Sequence, residues 1–180
     1  METEQELLED IRRHVGGAQR RLYERYSGHL MAVCMRYMGG GDEVRDVLQD
    51  AFIKILTHIA NFQYRGEGSL KAWATRIAVN EALDHLRKRP SLVVIGQPSH
   101  DVADDDGCEP QNIPPEVLSS MVASLPDGYR TVLNLFVFEQ MPHKEIARRL
   151  GIAEGTSASQ YLRAKKLLQK KIKDYLKGNI

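Results

Sequence analysis

Asp46, Gln49, Asp50 and Ile53 recur at i, i+3, i+4 and i+7, a spacing that puts all four on one helix face. Two carboxylates one turn apart are half of a divalent-metal site, but no His or third carboxylate joins them on that face. An apolar residue ringed by acids fits a partner-helix interface better; a solvated face with one stray Ile is the competing reading. Trp73, Arg76, Ile77, Asn80, Asp84 and Arg87 share a second face, preceded by a loop with Phe62, Tyr64 and Arg65. The only tryptophan stands there with two arginines and an asparagine. Stacking, cationic and amide groups together are what single-stranded nucleic acid requires, although Trp73 and Ile77 could instead pack against a neighbouring helix. A third face carries Thr156, Ser159, Gln160, Arg163, Lys166 and Lys170. Its first half offers short hydrogen-bonding side chains and one Arg, suited to base edges in a major groove. Its second half offers lysines, suited to phosphates.

Other chemistry finds little support. The histidines at 14, 29, 58, 85, 100 and 143 do not pair with Cys34 or Cys108 at metal-ligand spacing. Cys34 lies beside an apolar stripe and reads as packing. There is no GxGxxG, P-loop, HExxH or nucleophile elbow. No catalytic group, metal site or cofactor is expected.

The elements that must position these faces are helical. Leu22, Tyr26, Leu30, Val33 and Tyr37 follow the period of one helix face, and Gly39-Gly40-Gly41 ends that helix. Asp42 is placed to cap the next, which runs to about Ala60 with Leu48, Ala51, Phe52, Ile55 and Ile59 inward. Ser69 is placed to cap a third, ended by Pro90, with Ala78, Val79, Ala82, Leu83 and Leu86 inward. The segment 92–95 is too short and isolated to start a sheet. Farther on, Leu125-Pro126-Asp127 opens a helix of about 127–139, and Met141-Pro142 breaks it. A short helix 143–150, the turn 151–155 and a long helix of about 155–177 then read as helix-turn-helix. Ser157, Tyr161, Ala164, Leu168 and Ile172 form the inward side of that last helix.

Five of the seven prolines, with Asp104, Asp105 and Asp106, fall between residues 90 and 115. Proline, acid and absent periodicity predict a flexible linker at 93–115 between units 1–92 and 116–180. The fold class expected is all-α, a helical bundle followed by a helix-turn-helix domain.

The net charge of +1 conceals a segregation. Residues 1–90 carry 14 Lys/Arg against 13 Asp/Glu, residues 91–120 none against 6, and residues 121–180 carry 11 against 5. A basic last third can hold phosphates, but a nearly neutral chain cannot bind DNA tightly by charge alone. An acidic start without an apolar stretch argues against a signal peptide, and no run of 18 apolar residues predicts a membrane span. Two distant cysteines fit a reducing cytoplasm.

Three stretches together resemble a family: Asp46-Val-Leu-Gln-Asp-Ala-Phe-Ile-Lys-Ile-Leu56, the run from Gly68 to Arg87, and Leu125-Pro126 followed by 144–156 and Arg163-Ala-Lys-Lys-Leu167. In this order they resemble the bacterial RNA polymerase sigma factors of the extracytoplasmic-function (ECF) group, in the sigma-70 family. The resemblance implies that Asp46, Gln49, Asp50 and Ile53 dock on a coiled coil of the polymerase β′ subunit. It implies that Phe62, Tyr64, Arg65, Lys71, Trp73, Arg76, Asn80 and Arg87 hold the −10 non-template strand, with a base flipped into the loop. It implies that Thr156, Ala158, Ser159, Gln160, Arg163, Lys166 and Lys170 read the −35 element as duplex. It further implies core polymerase (β′ and β), promoter DNA and an anti-sigma factor as partners. Ser157 stands where the family usually has Val, and Ala158 and Gln160 stand where basic residues are frequent. Two other readings are a ligand-sensing or dimerising helix-turn-helix regulator, and a metal-dependent nucleic-acid enzyme using Asp46 and Asp50. A plain regulator needs neither the Asp46–Ile53 face nor the Trp73–Arg87 face.

Overall fold

The computed structural model describes residues 2–89 and 113–178. Nearly all of the expected linker, the segment 92–95, Cys108 and Asp104 to Asp106 lie outside them. The described residues are helical throughout, with connecting turns. The chain divides into two compact units, one through residue 85 and one from residue 86.

The first unit begins with a helix that the apolar periodicity above does not include. This helix, α1, spans Glu4–Arg12 and opens on a capping box, in which Thr3 accepts from the Glu6 amide and Glu6 accepts from the Thr3 amide. Leu7, Leu8 and Ile11 are its buried stripe. Helix α2, Ala18–Met38, buries the expected Leu22, Tyr26, Leu30, Val33 and Tyr37. It ends at Gly39, whose left-handed backbone (φ 76°) lets its amide reach the Met35 carbonyl. Helix α3, Glu43–His58, packs on α2 with Leu48, Ala51, Phe52 and Ile55 inward, and a 3₁₀ turn, Ile59–Asn61, extends it. Helix α4, Ser69–Arg87, runs from the first unit past its end at residue 85, with Ala78, Val79, Ala82, Leu83 and Leu86 buried. Lys54 on α3 pairs with Glu81 on α4, and His85 lies 3.3 Å from Glu43.

Two expected caps are absent. Asp42 occupies the position before α3, but its backbone is already helical and its side chain caps nothing. Ser69 is the first residue inside α4 rather than its cap, and its hydroxyl turns back to donate to the Gly66 carbonyl at 2.6 Å. The first amides of α4 are capped from 66 residues away. The Glu4 carboxylate, 2% exposed, accepts from the Leu70 amide at 3.0 Å, the Lys71 amide at 3.1 Å and the Tyr26 hydroxyl at 2.7 Å. Burial favours the neutral acid, but these bonds and one from the Gly68 backbone outweigh it and hold the Glu4 pKa below its ordinary value. Burial beside that carboxylate pushes the Tyr26 phenol upward.

In the second unit, α5 spans Pro115–Ala123 and starts on a proline, whose missing N–H costs a first-turn position nothing. Helix α6 spans Asp127–Val137, α7 His143–Leu150 and α8 Glu154–Gly178. Helices α6 and α7 both pack on α8. The core joins Leu125, Leu133 and Ala164, with Val122, Tyr129, Tyr161, Leu167 and Leu168 against them. Buried Arg130 knots the start of α6, donating to the Ala123 and Leu125 carbonyls and pairing with Asp127. Gly151 (φ 69°) ends α7 in the left-handed region and turns the chain toward α8.

The cap makes stability pH-dependent with a definite sign. Glu4 has its folded pKa depressed, so its contribution is present above the unfolded value of about 4.3 and is lost as pH falls through the folded value. The stability gap between wild type and Glu4→Gln should be widest at neutral pH and shrink steadily as the pH falls below the unfolded value of about 4.3. Urea unfolding at a series of pH values measures it; a gap independent of pH would remove the ionised cap from the account.

Candidate nucleic-acid interface

The residues of the first face, Asp46, Gln49, Asp50 and Ile53, are all exposed on α3, and Ile53 is 55% exposed. They lie opposite the buried Val44, Val47, Leu48, Ala51 and Ile55, so packing on α2 fixes which side faces outward. Among the described residues no three His, Cys, Asp or Glu cluster as metal ligands. The Phe52 ring, next to Ile53 in sequence, is buried and lies 4.7 Å from the half-exposed Tyr23 ring of α2.

The second face gathers around a cleft of about 470 Å³ lined by Asn61, Phe62, Gln63, Arg65, Ser69, Ala72, Trp73 and Arg76. Phe62 and Trp73 lie 4.9 Å apart at 38°, forming an aromatic corner. Arg65 and Arg76 are exposed beside it. The cleft thus combines an aromatic surface, two guanidinium groups and the amides of Asn61 and Gln63. Asn61 and Ala72 were not singled out in the sequence, Gln63 only as part of the loop, and Ser69 only as a helix cap. The polar ones carry no periodic signal, because the loop follows neither a helix nor a strand repeat.

Not every expected residue joins this cleft. Tyr64 points elsewhere, with its hydroxyl 3.4 Å from Glu67. Lys71 lines a separate cleft of about 300 Å³ with Glu4, Arg25, Tyr26, His29, Glu67 and Gly68. There burial, then Lys71 and Arg36, lowers the His29 pKa, and its ring shares a hydrogen bond with Thr75 at 2.9 Å. Asn80 and Arg87 are exposed farther along α4.

On α8, Lys166 and Lys170 are exposed, while Thr156, Ala158, Ser159 and Arg163 are half-buried. Arg163 reaches the Tyr129 hydroxyl at 3.5 Å. Gln160 departs from the expectation: it is 4% exposed. It lies one turn before Ala164, about 40° from it around the helix, on the side nearer the buried stripe than Lys166 and Lys170. Ser157 is fully buried, and its hydroxyl lies 3.0 Å from His143 Nδ1. Phe136 stacks on that imidazole at 4.6 Å. A serine is thus accommodated inside the helix-turn-helix because His143 satisfies it.

The contrast on α8 is measurable. Gln160→Ala should destabilise the second unit by about 1–3 kcal/mol by removing a buried polar side chain. Lys170→Ala should stay within about 0.5 kcal/mol. Chemical denaturation compares the two, and equal effects would place Gln160 on the open face after all.

The Sigma-70 region 2 family model matches residues 22–91, and the Sigma-70, region 4 family model matches residues 116–168. The chain is 28% identical to the RNA polymerase sigma-H factor of Pseudomonas aeruginosa, over 98% of this chain and 97% of that protein. It is 30% identical to the ECF RNA polymerase sigma-E factor of Haemophilus influenzae, over 94% of this chain and 95% of that protein. Among solved structures it is similar to the sigma factor RpoE in complex with the anti-sigma factor NepR from Bartonella quintana. That likeness has a TM-score of 0.49 at 22% identity and covers 87% of this chain and 98% of that one. With region 2 and region 4 matched in order and relatives aligned over nearly the full length, the chain belongs to the ECF group of the sigma-70 family, the promoter-specificity subunits of RNA polymerase.

Proposed function

We propose that the chain binds core polymerase through Asp46, Gln49, Asp50 and Ile53, captures the −10 strand in the Phe62–Trp73 cleft and reads the −35 duplex with α8. The observation that carries this reading is the cleft. An aromatic corner flanked by two arginines and lined by amides can stack one unstacked base, hold its phosphate and contact its edge. Its volume lies within the range of small-ligand pockets, about 300–1,000 Å³. Phe62, Arg65, Trp73 and Arg76 form the site of capture. Lys71, Asn80 and Arg87 extend the cationic and amide surface along α4, and Tyr64 supports the loop through Glu67.

On α8, Thr156, Ala158, Ser159 and Arg163 face base edges, whereas Lys166 and Lys170 hold phosphates. In domain terms, residues 1–92 dock and melt, residues 116–180 read duplex, and residues 93–115 tether the two. The near-neutral charge fits this division, because core polymerase supplies much of the affinity for DNA. The subunit directs initiation without catalytic chemistry or a cofactor of its own, and it works in the cytoplasm. No helix among the described residues is long and apolar enough to cross a membrane. An anti-sigma factor that covers the α3 face or α8 would hold it inactive.

Two measurements test this reading. Asp50→Arg should weaken core-polymerase binding about ten-fold or more while the free protein melts normally, since the site is exposed. Unchanged affinity by titration would sink the docking assignment. Trp73→Ala should cut open-complex formation on duplex promoters by about 1–3 kcal/mol and act far less on a pre-melted bubble. Equal loss on both templates would show that the corner does not capture strand.

A further inference from the structure

Helix α1 precedes residues 22–91, the stretch matched by region 2, yet it grips the loop that forms the cleft at both ends. At the loop's start, the exposed Arg12 donates from Nη2 to the Phe62 carbonyl. At its end, the Glu4 carboxylate holds the Leu70 and Lys71 amides, and the Glu4 amide donates to Glu67 Oε2 at 3.1 Å. Arg25 completes the second grip, donating to Glu67 Oε1 at 2.9 Å and to the Glu2 carbonyl at 2.8 Å. Between the grips, the loop's own bonds are local: Arg65 amide to Ser69 Oγ at 3.2 Å, Ser69 Oγ and the Ser69 amide to the Gly66 carbonyl, and Tyr64 to Glu67. Gly66 (φ 114°) and Gly68 (φ 88°) give this backbone wide freedom. A loop so constituted takes its shape from whatever holds its ends. The eight-residue step from Glu4 to Arg12 sets their backbone positions about 12 Å apart along the axis of one rigid helix.

From this we infer that α1 is a built-in template for the −10 loop, with Glu4 and Arg12 as positioning residues for the captured base. The inference rests on the strand-capture reading and deepens it. The Phe62 ring forms one wall of the cleft, and its own carbonyl is the atom that Arg12 holds. Ser69, Ala72, Trp73 and Arg76 form the other wall, on the helix whose N-terminus Glu4 holds. Slackening either grip lets the two walls shift, and discrimination among bases depends on their fixed separation. The four donors around Glu4 also explain why a carboxylate stands there: only an ionised, multiply accepting group serves α1, α2 and α4 together.

The test uses holoenzyme assembled from core polymerase of the same bacterium and full-length variants. The probe is a pool of duplex templates randomised across both promoter elements, with the transcripts sequenced. Glu4→Gln and Arg12→Ala should each narrow the preference between the best and worst base at one −10 position by about five-fold or more. Core affinity and the −35 preference should stay unchanged, and Arg12→Lys should retain most of the discrimination. A purely structural role would lower yield on every template in proportion and leave the base profile as it was; that result overturns the inference, as does no effect at all. Arg12 is exposed, so Arg12→Ala decides the matter alone should Glu4→Gln fail to melt cooperatively. Trp73→Ala runs in parallel. A profile altered by Trp73→Ala but not by the α1 variants refutes the template alone. A profile that Trp73→Ala leaves untouched removes strand capture, and the template with it.

Discussion

The first N–H groups of a helix cannot be buried without an acceptor, and helix α4 begins at the edge of its unit's core with no side chain of its own to serve. Glu4 resolves this. A carboxylate brought inside a protein is costly unless fully bonded, and here it accepts from Tyr26 on α2 and from the start of α4 together. The same contact therefore registers α1, α2 and α4. Because the loop 62–68 ends where α4 begins, the contact also decides where the aromatic corner stands. Packing of α3 on α2 supplies bulk stability. The carboxylate supplies placement.

Much of the architecture was legible because it is periodic. The stripe Leu22, Tyr26, Leu30, Val33 and Tyr37 is buried as its spacing demands, and so are the inward residues of α3 and α4. The exposure of Ile53 could be read from its place among acids, since an apolar residue outside the stripe has nowhere inward to go. What escaped is of two kinds. Helix α1 is only nine residues long, yet Thr3-x-x-Glu6 before Leu7, Leu8 and Ile11 is a local start signal that was available. The cap on α4 was not available in that sense. Ser69 looked sufficient from its neighbours, and nothing within a helical turn shows that residue 4 would outcompete it.

Gln160 exposes a limit in reading faces from residue type. The eye assigns a glutamine to the solvent side, but angular position decides, and Gln160 lies beside Ala164 rather than beside Lys166 and Lys170. The converse holds at Ser157, where a polar residue lies at the centre of the buried stripe and survives because His143 faces it. Both cases concern polar side chains in a small core. Such a core specifies its arrangement partly through polar pairs, which sequence periodicity alone does not disclose.

The two surfaces proposed to face DNA also differ in how rigidly they are held, and that difference follows from their construction. Helix α8 is one continuous element of 25 residues, anchored along its length by Ser157, Gln160, Ala164 and Ile172. A side chain such as Lys170 inherits its position from a rod. The cleft is built instead from a loop with two left-handed glycines and one helix end. Reading a stacked duplex requires side chains at fixed intervals, and a helix supplies those directly. Receiving a base that has left its stack requires a pocket with walls on more than one side, and a single helix face cannot enclose one. A loop must therefore contribute a wall, and a loop needs outside support to keep its shape. In the proposed reading helix α1 meets that need, which gives this short helix a reason to carry a buried carboxylate.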